Sequence, residues 1–257
     1  MALPNAPAPR LVPQQGRALP AFALIGWRWV SYNPAAAIAP ILLPFIFLLF
    51  LRMISPWSLF PLEVVGAMLF TTQNIGSWVL GDSANWRLEA ALQDLFVASP
   101  LGKVRYLFGI AFSNLIPAAP ALIILAIVLA IVAPPISIVG WAALGVSLFV
   151  LWVLFSSIGI AISSRLHSQR EVWPVGNLTF TTLGMMAPLY YPLSYLPPLW
   201  QKAALFLPTT YAALLAQGAL GLIATSPWAM AEDAGLLLAS AVAGTAIALS
   251  IYRWRDE

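Results

Sequence analysis

Residues 138–162 read IVGWAALGVSLFVLWVLFSSIGIAI, an apolar run without one charged side chain. As a helix rising 1.5 Å per residue, such a run covers the roughly 30 Å hydrocarbon layer of a bilayer. The rest of the chain has the same character: of 257 residues, 61% are hydrophobic and 8% charged, against roughly 25% charged in a soluble domain. A water-soluble fold needs a polar shell that this chain lacks the charge to build. Lipid must therefore be the solvent for most of its surface.

Working outward from 138–162, five further runs have comparable apolar length: 34–51, 62–81, 106–132, 173–191 and 234–252. The expected fold is an all-α membrane protein with six transmembrane helices, formed as a single domain over 34–257. Residues 1–16, rich in Pro, Ala and Gln, read as a flexible tail without the continuous apolar core of a signal peptide. In 17–33, Leu19, Phe22, Ile25 and Trp29 recur near one helical face beside Arg17 and Arg28, a pattern that suits an amphipathic helix in the membrane interface.

Segment 192–230 is too apolar for a solvated loop and too broken by Pro192, Pro197, Pro198 and Pro208 for a plain span. Two short helices re-entering the outer leaflet satisfy its backbone internally. The competing reading makes 203–223 a seventh span. In the six-span arrangement, Arg10, Arg17, Arg28, Arg87, Lys103, Arg105, Arg165, Arg170, Arg253 and Arg255 lie inside and only Arg52 and Lys202 outside. A seventh span moves Arg253 and Arg255 out, so the positive-inside rule favours six, with both termini in the cytoplasm.

The chain has no GxSxG elbow, HExxH pair or GxxxxGK[ST] nucleotide loop. It has no cysteine and one histidine, His167, in a short polar loop, so no metal site is expected. The basic residues stand singly between apolar spans, which speaks against nucleic acid as a partner. None of the charges falls clearly in the middle of a span, where ion-coupled carriers keep a coupling group. These absences point away from an enzyme and toward an energy source on another chain.

Segment 82–105, DSANWRLEAALQDLFVASPLGKVR, opens with the capping candidates Asp82 and Ser83 and stops at Pro100. Leu88, Leu92, Leu95 and Phe96 share one side at helical spacing. It reads as a short amphipathic helix, either a connection lying in the interface or a docking surface for a soluble partner.

Here the sequence resembles the ABC-2 type permeases, the membrane subunits of ATP-binding-cassette exporters. Ala90, Ala91, Leu92 and Gln93, then Ser99, Pro100 and Gly109, are similar to that family's Gly-Thr-Leu-Glu and Ser-Pro pattern, with Gln93 standing where the family usually carries an acid. Pro192, Leu196, Pro197, Pro208, Thr209, Thr210 and Tyr211 resemble its external re-entrant segment. The resemblance implies a cell-membrane exporter of an amphipathic, drug-like, glycan or lipid-linked substrate. It implies pairing with a second permease copy or homologue and with two soluble ATPase subunits that hold ATP and Mg, and no cofactor on this chain.

On that resemblance 82–105 becomes the coupling segment, and Trp86, Arg87, Leu88, Glu89, Leu92, Gln93, Asp94, Ser99 and Pro100 the ATPase contacts. Gln73, Asn74, Asn114, Asn177, Thr179 and Thr181 are costly to leave unpaired in lipid, so they are candidates for a substrate path or for hydrogen bonds between helices. Pro192, Pro197, Pro208 and Tyr211 mark the external segment. A membrane scaffold subunit without a path, or a lipid-modifying enzyme, remains the alternative.

Overall fold

The computed structural model describes residues 18–90, 92–99, 101–252 and 254. Every regular element among them is helical: α1 (Ala18–Tyr32), α2 (Pro34–Ile54), α3 (Phe60–Leu88), α4 (Leu92–Ala98), α5 (Lys103–Val132), α6 (Ile138–Ser163), α7 (Gln169–Gly176), α8 (Thr182–Met186), α9 (Pro198–Ala204), α10 (Pro208–Ala219) and α11 (Pro227–Ile251). Three of them, α5, α6 and α11, are long and apolar enough to cross a membrane.

The ends of α5 and α6 follow from local chemistry. Ser137 caps α6 by accepting from the Gly140 N–H at 3.1 Å. Pro134 and Pro135 follow α5 directly and prevent its continuation. α11 begins at Pro227, earlier than the expected 234, because Ser226 supplies a cap to Ala229 N–H and Pro227 occupies the first turn, where its missing N–H costs nothing.

α3 is the central helix, packed mainly between α5 and α6. It is buried on all sides over most of its length, so its polar run Thr71–Thr72–Gln73–Asn74 meets protein rather than lipid. Thr71 and Thr72 donate back to the carbonyls of Ala67 and Met68 at 2.7 and 2.9 Å. α3 meets α6 backbone to backbone. A Cβ on Gly159 would collide with the Gly76 carbonyl, and one on Gly76 with the Phe155 carbonyl and the Phe180 ring, the close approach that small residues permit in membrane bundles.

Three expectations are corrected. No helix starts at Asp82 or Ser83: α3 runs through both to Leu88, and the separate α4 begins only at Leu92. Their side chains are taken up inside the bundle, Asp82 Oδ2 accepting from Asn114 Nδ2 at 2.8 Å and Ser83 Oγ accepting from Ser163 Oγ at 2.9 Å, so neither caps. The expected span 173–191 is a helical run over 169–186 interrupted by a π-turn at Asn177–Thr181, and 187–191 is irregular and largely buried. In 17–33, only Phe22 and Gly26 among the described residues of α1 are buried, both against α5. Leu19, Ile25 and Trp29 face outward.

Segment 192–230 does fold as two short helices, α9 and α10, of seven and twelve residues. At 1.5 Å per residue α10 reaches about 18 Å, too short for the seventh span of the competing reading. Residues 1–17, Ala91, Pro100, Arg253 and 255–257 lie outside the described residues, and with them the expected tail, Arg10, Arg17, Arg255 and part of the docking motif.

Candidate functional site

Two places in the fold gather the residues singled out from the sequence: one end of the bundle, around α4, and the irregular stretch after α7. At the first, a cluster of rings ties four elements together. Phe22 of α1 stacks on Trp86 of α3 and Phe96 of α4 with centroids 6.2 and 5.6 Å apart, and Tyr106 of α5 meets Phe96 at 5.2 Å. Trp254, beyond α11, closes on Tyr106 at 5.0 Å. Such offset and edge contacts add roughly 0.5–1.5 kcal/mol per pair beyond area burial.

Polar contacts fasten the same end. Arg87 Nη2 donates to the carbonyls of Ser163 and Leu166 at 2.7 and 2.6 Å, holding the end of α3 to the turn after α6. Lys103 Nζ donates to the carbonyls of Leu249 and Tyr252 at 2.5 and 2.8 Å, satisfying acceptors that the last turn of α11 leaves open. The Tyr252 hydroxyl donates to Gln93 Oε1 at 2.8 Å, linking α4 to the end of α11.

The nine expected docking residues therefore divide. Trp86, Arg87 and Gln93 point into the chain and hold it together. Leu88 and Leu92 are half-buried against the core. Ser99 ends α4, donating to Phe96 O at 2.7 Å and accepting from Leu101 N–H at 3.2 Å. Glu89 and Asp94 face outward, and Pro100 lies outside the described residues. Leu95, expected on the apolar side with Leu92, is 67% exposed. Glu89, Asp94 and Leu95 are thus the exposed side chains among those singled out at this end.

The six candidate path residues are not brought into one channel. Gln73 is fully buried, and its Nε2 donates to the carbonyl of Phe180 at 2.6 Å, inside the π-turn. Asn74 turns back to Phe70 O at 3.0 Å on its own helix. Asn114 joins Asp82 and also donates to Ile110 O at 3.1 Å. Asn177 is exposed, and Thr179 and Thr181 are half-buried along the π-turn.

Nothing in the sequence pattern marks Gln217, a lone amide in an apolar helix. It is fully buried on α10 and donates Nε2 to the Leu189 carbonyl at 3.2 Å. Gln73 and Gln217 thus clamp the two irregular parts of the chain between α7 and α9. Non-helical backbone at membrane depth survives only where protein supplies such partners. Gly66 leaves room for the same Leu189 carbonyl, which a Cβ there would strike. Replacing Gln73 by Leu is expected to cost about 1–2 kcal/mol by orphaning that bond and to speed amide hydrogen exchange selectively over 177–186. Unchanged exchange there would contradict the clamp.

The four residues expected to mark an external segment stand at backbone turns and helix starts. Pro192 and Pro197 precede the turn Leu193–Tyr195 and α9, and Pro208 opens α10. The Tyr211 hydroxyl donates to Leu205 O at 2.5 Å, Thr210 Oγ1 to Ala204 O at 2.6 Å and Gln201 Nε2 to Leu196 O at 2.7 Å, which satisfies much of the connecting backbone. Among the described residues no group of His, Asp or Glu could hold a metal ion.

The fold and composition define an all-helical membrane protein. No protein-family model matches the chain, and no curated protein matches it.

Proposed function

We propose that the chain is the membrane subunit of an ABC-2-type exporter. Two copies, or this chain and a homologue, frame a path for an amphipathic, drug-like, glycan or lipid-linked substrate. Two soluble ATPase subunits, holding ATP and Mg, bind the end around α4.

The observation that supports this reading is the construction of that end. α4 presents Asp94 and Leu95 outward beside Glu89 at the end of α3, while its inner side is tied through Phe96 and Gln93 to α1, α3, α5 and the end of α11. A partner that grips α4 differently in its two nucleotide states would pull on four helices at once. Differential contact of this kind is what coupling requires.

Charge placement supports the six-span orientation within the same proposal. Arg87, Lys103, Arg105, Arg165 and Arg170 belong to segments that meet at the α4 end, whereas Arg52 and Lys202 belong to segments at the other. The α4 end is then cytoplasmic, in the cell membrane.

Leu95→Asp separates docking from folding. Leu95 belongs to neither buried cluster, so the variant should keep the melting behaviour of the parent while losing most of its ATPase partner, at least tenfold by quantitative pull-down. Full retention of the partner would remove α4 from the interface.

A further inference from the structure

At the end of the bundle around α4 the charged side chains have settled positions. Arg87 and Lys103 donate to backbone carbonyls, Glu89 accepts from Asn85 Nδ2 at 3.2 Å, and Glu171 accepts from the His167 N–H at 3.3 Å. Arg28, Asp94, Arg105, Arg165 and Arg170 face outward. Asp82 departs from this pattern. It is half-buried, and its one hydrogen bond among the described residues comes from Asn114 Nδ2 at 2.8 Å, a neutral amide on another helix. Asn114 is itself buried and also donates to Ile110 O at 3.1 Å, so both its N–H bonds are engaged and its direction is fixed.

The helices packed on α3 bring Asp82 no cation. α6 and α10 carry no charged residue, and α2 carries only Arg52, which donates to Ser55 O at the opposite end. α7 turns Val172 toward Gly81 and keeps Arg170 and Glu171 outside. A carboxylate so placed has a single N–H to stabilise its charge, and the neutral acid is the lower-energy form. Asp82 is the first residue beyond the expected span 62–81. Burial pushes its carboxyl above the usual carboxylate range, against the opposing pull of the Asn114 N–H.

We propose that the Asp82 carboxyl is a proton-binding site, and that its proton keeps the end of α3 closed on α5 through Asn114. Loss of the proton leaves a negative charge with one amide donor, which draws water into the contact. Residues 82–88 then loosen, the stretch that carries Trp86 into the ring cluster and Arg87 onto Ser163 O and Leu166 O. A carboxyl whose pKa is raised in the folded protein binds its proton more tightly there than in the unfolded chain. The closed contact therefore has its full support in acid and loses it as pH rises past the ordinary carboxylate range into the raised one. The site needs no ATPase partner and goes beyond the exporter reading.

The test uses the full chain in phosphatidylcholine vesicles, titrated from about pH 4 to about pH 9, with two readouts. Infrared difference spectra follow the C=O stretch of protonated carboxylic acids. Amide hydrogen exchange, corrected for its intrinsic pH dependence, follows 82–88 with α6 as the internal reference. The parent should show a carboxylic-acid component that fades as pH rises, with exchange over 82–88 quickening at least fivefold in step. Asp82→Asn, which resembles the protonated form, should lack that component and hold 82–88 at the slow rate throughout. Asn114→Leu removes the N–H that favours the charged form, so the component should persist to higher pH by about one unit. A spectrum unchanged by Asp82→Asn, or exchange over 82–88 that ignores pH in the parent, overturns the site. An unshifted titration in Asn114→Leu overturns the pairing even if Asp82→Asn fails to fold.

Discussion

Replacing Gly159 with leucine is expected to abolish the folded bundle. At this position α6 lies directly on α3, and a Cβ would drive into the carbonyl of Gly76 and press the Leu80 N–H. Backbone cannot swing aside as a side chain can, so relief requires the two helices to part. Overpacking of this kind costs about 1–3 kcal/mol where side chains can adjust, and the upper end or beyond is expected here, a large share of the few kcal/mol of net stability a protein holds. The control is on the same helix: nothing lies within 4 Å of a Cβ built on Gly145, so Gly145→Leu should be near neutral. The two variants, compared by monodispersity in detergent and by thermal unfolding, should differ sharply. Similar behaviour would show that the α3–α6 crossing is not the close contact described.

Phe22→Ala should have the second large effect. Phe22 is 2% exposed, its ring fills the space that Gly109 leaves open on α5, and it stacks with Trp86 and Phe96. Removing a buried Phe side chain costs about 3–5 kcal/mol. Because Phe22 is one of two buried anchors of α1, the loss falls on that helix and on α4. The expected readout is rapid proteolysis within Ala18–Tyr32 and faster amide exchange over α4, with α6 and α10 still protected. Gly109→Ala should give the same pattern from the opposite side, since its Cβ would meet the Phe22 ring. Protection of α1 equal to that of the parent would contradict its anchoring there.

Where one local property decides, the sequence was enough. α5 and α6 follow the expected 106–132 and 138–162 to within a few residues, because an uncharged apolar run bounded by Pro134–Pro135 and by Arg165 leaves few choices. The two short helices of 192–230 were legible from proline spacing for the same reason. What could not be read were features set by a distant partner. Asp82 and Ser83 look like a helix start until Asn114 and Ser163 are found beside them. The π-turn at Asn177–Thr181 depends on Gln73, 107 positions away from the carbonyl it serves. Gln217 carries no pattern at all.

The docking segment shows the same division. Helical spacing grouped Leu88, Leu92, Leu95 and Phe96 on one face, but the helix breaks between Leu88 and Leu92, so Leu95 turns outward while the others pack in. Trp86, Arg87 and Gln93, expected as contacts for a partner, brace the end of the bundle. A part for them in coupling would be indirect, through the position of α4.

The most direct test of the exporter proposal is gentle purification of the tagged chain from its native membrane, alongside Leu95→Asp, with ATP hydrolysis and subunit stoichiometry measured on both. The proposal predicts an ATP-hydrolysing subunit in equal number with the parent chain and its loss from the variant. Intact parent complexes that reproducibly lack such a subunit would contradict it.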